Sequence, residues 1–275
     1  MSEFRRRLMA IKKDELRGSY FIATYNVTST SSVTKLHAFA LSDIEKMMID
    51  DVEVAPAQSY TFTSIGIHKV IAIIKRTIKR MSSVFASLPN LIALDLSHLD
   101  TSNVTTFYRL IAASPYVAEL NLSGLNTSNA TDLSRMFALT SSGVGLLTTI
   151  DVSSFDTSNA TSLERLFYYN KNLETLYLSN FDVKKVTNFS GVFQELSKLR
   201  NLNPFYNWKQ GDISWKYSPL PAISVHQLIE RASSVEDGAV ARTLSLTPTT
   251  KTNWQNSEYY ESDQAMATEK LITIQ

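Results

Sequence analysis

The chain contains no cysteine. That absence removes a zinc-thiolate site, a disulfide scaffold and a cysteine nucleophile at once, and it leaves the compartment open, because a cysteine-free chain suits either side of a membrane. An excess of one charge is missing too. Lys and Arg number 27 against 26 Asp and Glu, a formal net charge of +1, which argues against a general nucleic-acid-binding surface. Only eight glycines are present, and none forms a phosphate-cradling loop. No window approaches the roughly 18 apolar residues of a membrane span. The histidines His37, His68, His98 and His226 have no Glu or His partner at helical metal spacing, so no catalytic, metal or cofactor site is expected of them. No Ser-His-Asp order stands out from the serine-rich background. What remains is 275 residues with 44% hydrophobic content, enough to bury a core across two or three substructures.

The dominant feature is repetition. Leu94-Asp95-Leu96-Ser97-His98-Leu99-Asp100-Thr101-Ser102-Asn103 returns as Leu120-Asn121-Leu122-Ser123-Gly124-Leu125-Asn126-Thr127-Ser128-Asn129. It returns again from Ile150 to Asn159, and in worn form from Leu176 to Lys185. The closing hydrophobes Phe85, Ile111, Phe137, Phe167 and Phe193 are 26, 26, 30 and 26 residues apart. The four extra residues fall in 141–145, a Ser/Gly-rich stretch expected to bulge outwards from the coil. A fixed period of this kind predicts units that bury their apolar sides only against their neighbours. Each Leu-x-Leu is expected to be a short strand stacked on its equivalent at roughly 4.8 Å. The Asp/Asn-Thr-Ser-Asn segment is a turn capped by Asx side chains, and the Leu-Phe or Met-Phe half is expected to begin with a helical turn. Asn103, Asn129 and Asn159 recur at one offset and are expected to stack as an internal polar ladder. The column Asp100, Asn126, Asp156 and Asp182 is read as turn capping ahead of cation binding. The Asn-x-Thr triplets at the repeat offset are read as structural, not as glycan acceptors.

Flanking regions differ. Phe4, Leu8 and Ile11 are three to four apart, so residues 3–16 read as an amphipathic helix whose basic face carries Arg5, Arg6, Arg7, Lys12 and Lys13. Two readings stand side by side: the segment packs Phe4 and Leu8 on the neighbouring domain, or it docks the chain onto an acidic partner or assembly. Leu8-Met9-Ala10-Ile11 runs into Lys12-Lys13, where a signal peptide needs an unbroken apolar stretch, so no export signal is expected. Residues 19–76 carry strand signals: 20–27, a hairpin around Asp50-Asp51, and 69–74, with one short helix at 42–46. After residue 205 the repeat ends. Tyr206, Trp208, Trp215 and Tyr217 form an aromatic loop, read first as a hydrophobic cap and second as a binding platform. Helices at 224–233 and 258–270 and strands at 242–246 and 271–275 are expected to follow.

The expected architecture is therefore α/β: a leucine-rich-repeat-like solenoid of about four 26-residue units with an N-terminal small β domain and a C-terminal α/β cap. Its parts are a basic arm (1–18), a small β-sandwich-like domain (19–76), the repeats (77–205) and the cap (206–275). The Leu-Asp-Leu-Ser-x-Phe-Asp-Thr-Ser-Asn unit and its closing Phe resemble the BspA-type leucine-rich repeats of bacterial surface proteins. The segments 25–30, 60–62, 243–246 and 267–270 resemble parts that flank such repeats in Bacteroidetes and their phages. The resemblance implies a surface or virion binding protein. With no export signal, the favoured reading is a non-enzymatic phage virion component, a tail or head appendage or decoration protein. It would be made in the host cytoplasm and act as a homo-oligomer or in multiple copies within an assembly of other virion proteins. Its anchor would be Phe4, Arg5, Arg6, Arg7, Leu8, Lys12 and Lys13. Its binding surface, for a host protein or glycan, would be His98, Ser154, Asn180, Tyr206, Trp208, Trp215 and Tyr217. The alternative is a bacterial cell-surface adhesin. A glycan hydrolase comes third and needs a carboxylate pair about 5–9.5 Å apart.

Overall fold

The computed structural model describes residues 18–75, 77–141, 145–215, 218–232, 237 and 239–275. Its N-terminal part is a sheet built on two nine-residue antiparallel strands, β1 (Ser19–Val27) and β6 (Gly66–Ile74). Two further strands, β3 (Ile44–Ile49) and β4 (Val52–Val54), form a hairpin on the β6 side. Its tip is Asp50-Asp51, both left-handed at φ 50° and 67°, the geometry a two-residue hairpin turn demands. Aspartate tolerates it because its carboxylates tie the turn down. Asp50 accepts from the Lys69 amide at 2.9 Å and meets His68 Nδ1 at 2.6 Å, while Asp51 pairs with Lys69 Nζ at 2.8 Å. The helix expected at 42–46 is absent. A 3-10 turn (Leu41–Asp43) feeds directly into β3, whose Met47 and Ile49 sides are buried in the core. A two-stranded ribbon of β2 (Thr34–Lys35) and β5 (Ser59–Tyr60) completes this region.

The repeats begin inside the same sheet. On its other edge β1 pairs antiparallel with β7 (Leu91–Asp95), and β7 pairs parallel with β8 (Glu119–Asn121). The order is thus β4-β3-β6-β1-β7-β8. A separate parallel sheet holds β9 (Thr149–Asp151), β10 (Thr175–Tyr177) and β11 (Asn201–Asn203). Equivalent leucines pair within each sheet, Leu94 with Leu120, and Ile150 with Leu176 and then Leu202. No pairing joins β8 to β9, where the longer repeat spacing inserts its extra residues.

The α/β expectation is corrected here. The molecule is mainly small β-sheets and tight turns, not a closed α/β repeat solenoid. Among the described residues its three α-helices, α1 (Ala222–Glu230), α2 (Pro248–Gln255) and α3 (Tyr260–Glu269), all follow the repeats. The half-unit expected to be helical is not, and its backbone shows why. Ser83, Arg109, Arg135, Arg165 and Gly191 occupy one repeat position, and all are left-handed, at φ 58°, 56°, 58°, 53° and 64°. One such residue stops a right-handed helix. The amides then bond across units: Arg109 N–H to Ser134 O at 3.0 Å, Arg135 N–H to Glu164 O at 2.8 Å, Arg165 N–H to Ser190 O at 2.9 Å. Isolated bridges link Thr106, Asp132, Ser162 and Asn188 in turn, so this side stays continuous where the strands part.

Apolar columns fill the space between. Phe137, Phe167 and Phe193 stack at 5.6 and 6.1 Å, and Trp215 lies flat on Phe193 at 3.8 Å. Full burial of each ring contributes roughly 2–3 kcal/mol. Trp215 thus continues the phenylalanine column, and the Ser218 hydroxyl donates to Phe193 O and accepts from Leu196 N–H, as Ser114 does with Phe85 O and Leu88 N–H in the first unit. Beyond it, β12 (Ile213–Ser214), β13 (Arg242–Ser245) and β14 (Ile272–Ile274) form a parallel sheet backed by the helices. The unanticipated α2 starts at Pro248 with Thr247 as its cap, accepting from Thr250 N–H at 3.0 Å, a combination suited to a helix start.

Candidate functional site

Asx turns hold each repeat's exposed edge. Asp100, Asp156 and Asp182 accept from the amides of Ser102, Ser158 and Lys184 at 3.0 Å, and Asn126 does the same for Ser128. These bonds lower the Asp100 and Asp156 pKa values: the Ser102 hydroxyl and amide act on Asp100, the Ser158 amide and hydroxyl on Asp156. A second row, Asp95, Asn121 and Asp151, caps Ser97, Ser123 and Ser153. The carboxylate column is therefore committed to backbone, and among the described residues no three metal-ligating side chains converge.

Asn103, Asn129 and Asn159 do not form an internal ladder. All three are exposed; Asn129 and Asn159 bond to the preceding unit along the outside, Asn129 to Ser102 O at 2.7 Å and Asn159 to Ser128 O at 2.8 Å, while Asn103 donates to its neighbour Ser102 Oγ. The internal column lies two residues earlier. Thr101, Thr127 and Thr157 are each 1% exposed, and their hydroxyls donate to Asn126 O, Asp156 O and Asp182 O in the next unit at 2.8–3.0 Å. The recurring Thr signalled this, because a small β-branched hydroxyl fits inside where an amide does not.

The residues nominated as a binding surface separate into groups. Trp208 and Trp215 are 0% exposed and cannot form a platform; they close the core. Trp208 donates to Gly211 O at 2.8 Å and lies beneath the Arg242 guanidinium. Tyr217 and the anchor residues Phe4, Arg5, Arg6, Arg7, Leu8, Lys12 and Lys13 lie outside the described residues. His98 is exposed at its edge but stacked on Tyr20 at 4.5 Å. Its equivalent Gly124 is closed to side chains, since a Cβ there would sit 1.8 Å from Ser97 O.

Ser154, Asn180 and Tyr206 remain exposed, and the structure adds Tyr177. Tyr177 and Asp182 flank the turn that carries Asn180, and Tyr206 pairs with Asp182 from the following segment. The two tyrosines are 41% and 37% exposed. Partial burial, then the Asp182 and Asp156 carboxylates, raise the Tyr206 pKa, so the phenol keeps its proton at neutral pH. Flat aromatic faces, carboxylates and amides on a fixed edge suit a neutral, hydroxyl-rich ligand or a polar protein surface. Tyr177 lies in the otherwise polar column of Asp95, Asn121 and Asp151, a substitution visible in the sequence.

Two other clusters are committed to structure. Arg165 lies over Tyr168 at 5.2 Å and Lys171 over Tyr169 at 5.0 Å. The buried Asp263 meets His226 Nδ1 and Trp254 Nε1, both at 2.7 Å. That arrangement ties α1 to α2 and α3, with the His226 ring stacked on Tyr259 at 4.6 Å.

Residues 60–145 and 141–218 match a family model described as "Mycoplasma protein of unknown function, DUF285". Together these stretches cover more than half of the chain. The chain belongs to this family. The two matched stretches overlap at residues 141–145, in the connection between β8 and β9, which do not pair. No curated protein matches the chain, and no solved structure does. No helix among the described residues is long and apolar enough to cross a membrane.

Proposed function

We propose that the chain is a non-enzymatic binding protein, a phage virion component that anchors through its N-terminal region and presents the repeat edge to a host glycan or protein. The observation that carries the binding reading is that Tyr177, ahead of the turn carrying Asn180, and Tyr206, paired with Asp182 after it, are both exposed on a backbone fixed by capping bonds. Such an edge binds without rearranging, which lowers the entropic cost of association. Its carboxylates disfavour polyanions and favour neutral sugars or polar protein faces. The virion half of the proposal draws on the resemblance to BspA-type repeats and on flanking segments that resemble those of Bacteroidetes and their phages. The same resemblance favours a cell-surface adhesin as the second reading.

Glycan-array binding by the full chain tests the first half. Tyr177→Ala with Tyr206→Ala is expected to weaken any recognised glycan at least tenfold with an unchanged melting temperature. Undiminished binding by the double variant removes this edge as the site. Fractionation separates the two settings: recovery with purified particles supports the virion reading, and recovery on intact cells supports the adhesin.

A further inference from the structure

The left-handed position of the half-units reads Ser83, Arg109, Arg135, Arg165 and Gly191. Gly191 shows that this backbone accepts glycine, the residue to which a positive φ brings no steric penalty. Three successive units nonetheless place arginine there, each at a conformational cost. All three are half-buried, and none belongs to the apolar core. The rungs are bridged in register from Thr106 through Asp132 and Ser162 to Asn188. Successive arginines therefore stand one rung apart, about 4.8 Å, in a column distinct from the Asx-turn edge.

The charge of this column is poorly compensated. Arg135 donates to Glu164 of the following unit at 2.7 Å, and Arg165 Nε is 3.9 Å from the same carboxylate oxygen. At the place Glu164 takes beside Arg135, the unit after Arg109 has Ser134 and the unit after Arg165 has Ser190. Ser134 is itself buried and bonded to Ser162 Oγ at 2.7 Å. Among the described residues no hydrogen bond or ion pair engages the Arg109 guanidinium. Other carboxylates of these rungs are engaged, Asp132 with the Ser134 amide at 2.9 Å and Glu195 with Lys171 Nζ at 3.8 Å. Three guanidinium groups thus share one carboxylate. The ring contact that holds Arg165 over Tyr168 at 5.2 Å fixes the side chain without using its N–H donors.

We propose that this arginine column is a second binding surface, one that takes an acidic polysaccharide bearing carboxylate or sulfate groups and laid along the coil. It does not rest on the tyrosine edge. A guanidinium presents paired N–H donors that match two oxygens of such a group, and one rung is close to the length of one pyranose in an extended chain. Tyr168 and Tyr169, their rings 4.5 Å apart, stand beside the last arginine and supply aromatic surface for a sugar's C–H face. A nucleic acid fits less well, because a net charge of +1 gives no broad positive field for a polyphosphate.

The test titrates the full-length protein with alginate, a uronate polymer, and with heparin, which adds sulfate. Dextran, poly-glutamate and duplex DNA serve as comparisons. Alginate or heparin is expected to bind, dextran is not, and the affinity should fall as salt rises. Arg109→Gly combined with Arg165→Gly should weaken that binding roughly tenfold or more, while the melting temperature holds or rises because glycine suits both backbones. Glu164→Gln removes the shared carboxylate and no donor, so it should strengthen binding about threefold. Failure of both acidic glycans to bind, equally tight binding of poly-glutamate or DNA, or full affinity in the double variant overturns the proposal. Should the double variant unfold, Glu164→Gln decides alone: unchanged or weaker binding overturns the proposal too.

Discussion

Single residues show how narrowly each repeat position is specified. Thr101 Oγ1 both donates to Asn126 O and accepts from Asn126 N–H at 2.8 Å, whereas Thr127 shows only the donated bond to Asp156 O. Thr101→Val should therefore lower unfolding free energy by about 1–2 kcal/mol, more than Thr127→Val, because it removes the partner of the Asn126 amide as well as of its carbonyl; urea midpoints of the two variants give the comparison. Gly124→Ala should be worse, since its new methyl would meet Ser97 O at 1.8 Å and force β7 and β8 apart; a cost of roughly 3 kcal/mol or more is expected. His37 couples the fold to acid. Burial lowers its pKa to about 4 from 6.5, partly offset by the Ala57 backbone. The unfolded chain therefore binds that proton first, and stability falls as pH drops from 6.5 towards 4, then levels off. The loss is up to about 3 kcal/mol. A urea midpoint lower at pH 4.5 than at pH 7.5, flattened by His37→Gln, is the expected outcome.

At the scale of elements, what could be read beforehand depended on whether a local rule had a local signal. The Asp50-Asp51 hairpin, the Asx caps at Asp100 and Asp156, and the phenylalanine column all announce themselves by residue type. The turn geometry of the half-units does not. Arg109, Arg135 and Arg165 are left-handed although arginine gives no hint of it, so a stretch with helical spacing read as a helical turn. Tertiary bonds to the next unit overrode local preference. Arg109→Gly should accordingly stabilise the fold by about 1 kcal/mol, opposite in sign to glycine in an ordinary helix, and thermal unfolding reads that sign. Of the nominated surface, Ser154 and Asn180 stood out at a variable repeat offset and Tyr206 in an aromatic cluster, and what the structure adds is that all three are exposed. Trp208 and Trp215 misled, because aromatic clustering looks the same in sequence whether it faces water or closes a core.

Across the whole molecule the apolar core is continuous, from Phe21 in β1 to Ile272 in β14. Strand β1 serves two masters, bonding β6 on one edge and β7 on the other, so the region before residue 77 and the repeats after it share their central hydrogen bonds. A chain beginning at residue 77 should lose its cooperative melting transition, because it bares Phe85 and Leu91 and leaves the β7 edge unpaired; calorimetry would detect that loss. The sheet boundary between β8 and β9 works the other way. Pulled from its two ends, a body whose strands part there, leaving the turn and half-unit bonds to hold it, should open along that crease first. A protein fixed at its base and tugged at its tip would then stretch by one discrete step at low force, its two leaves still folded.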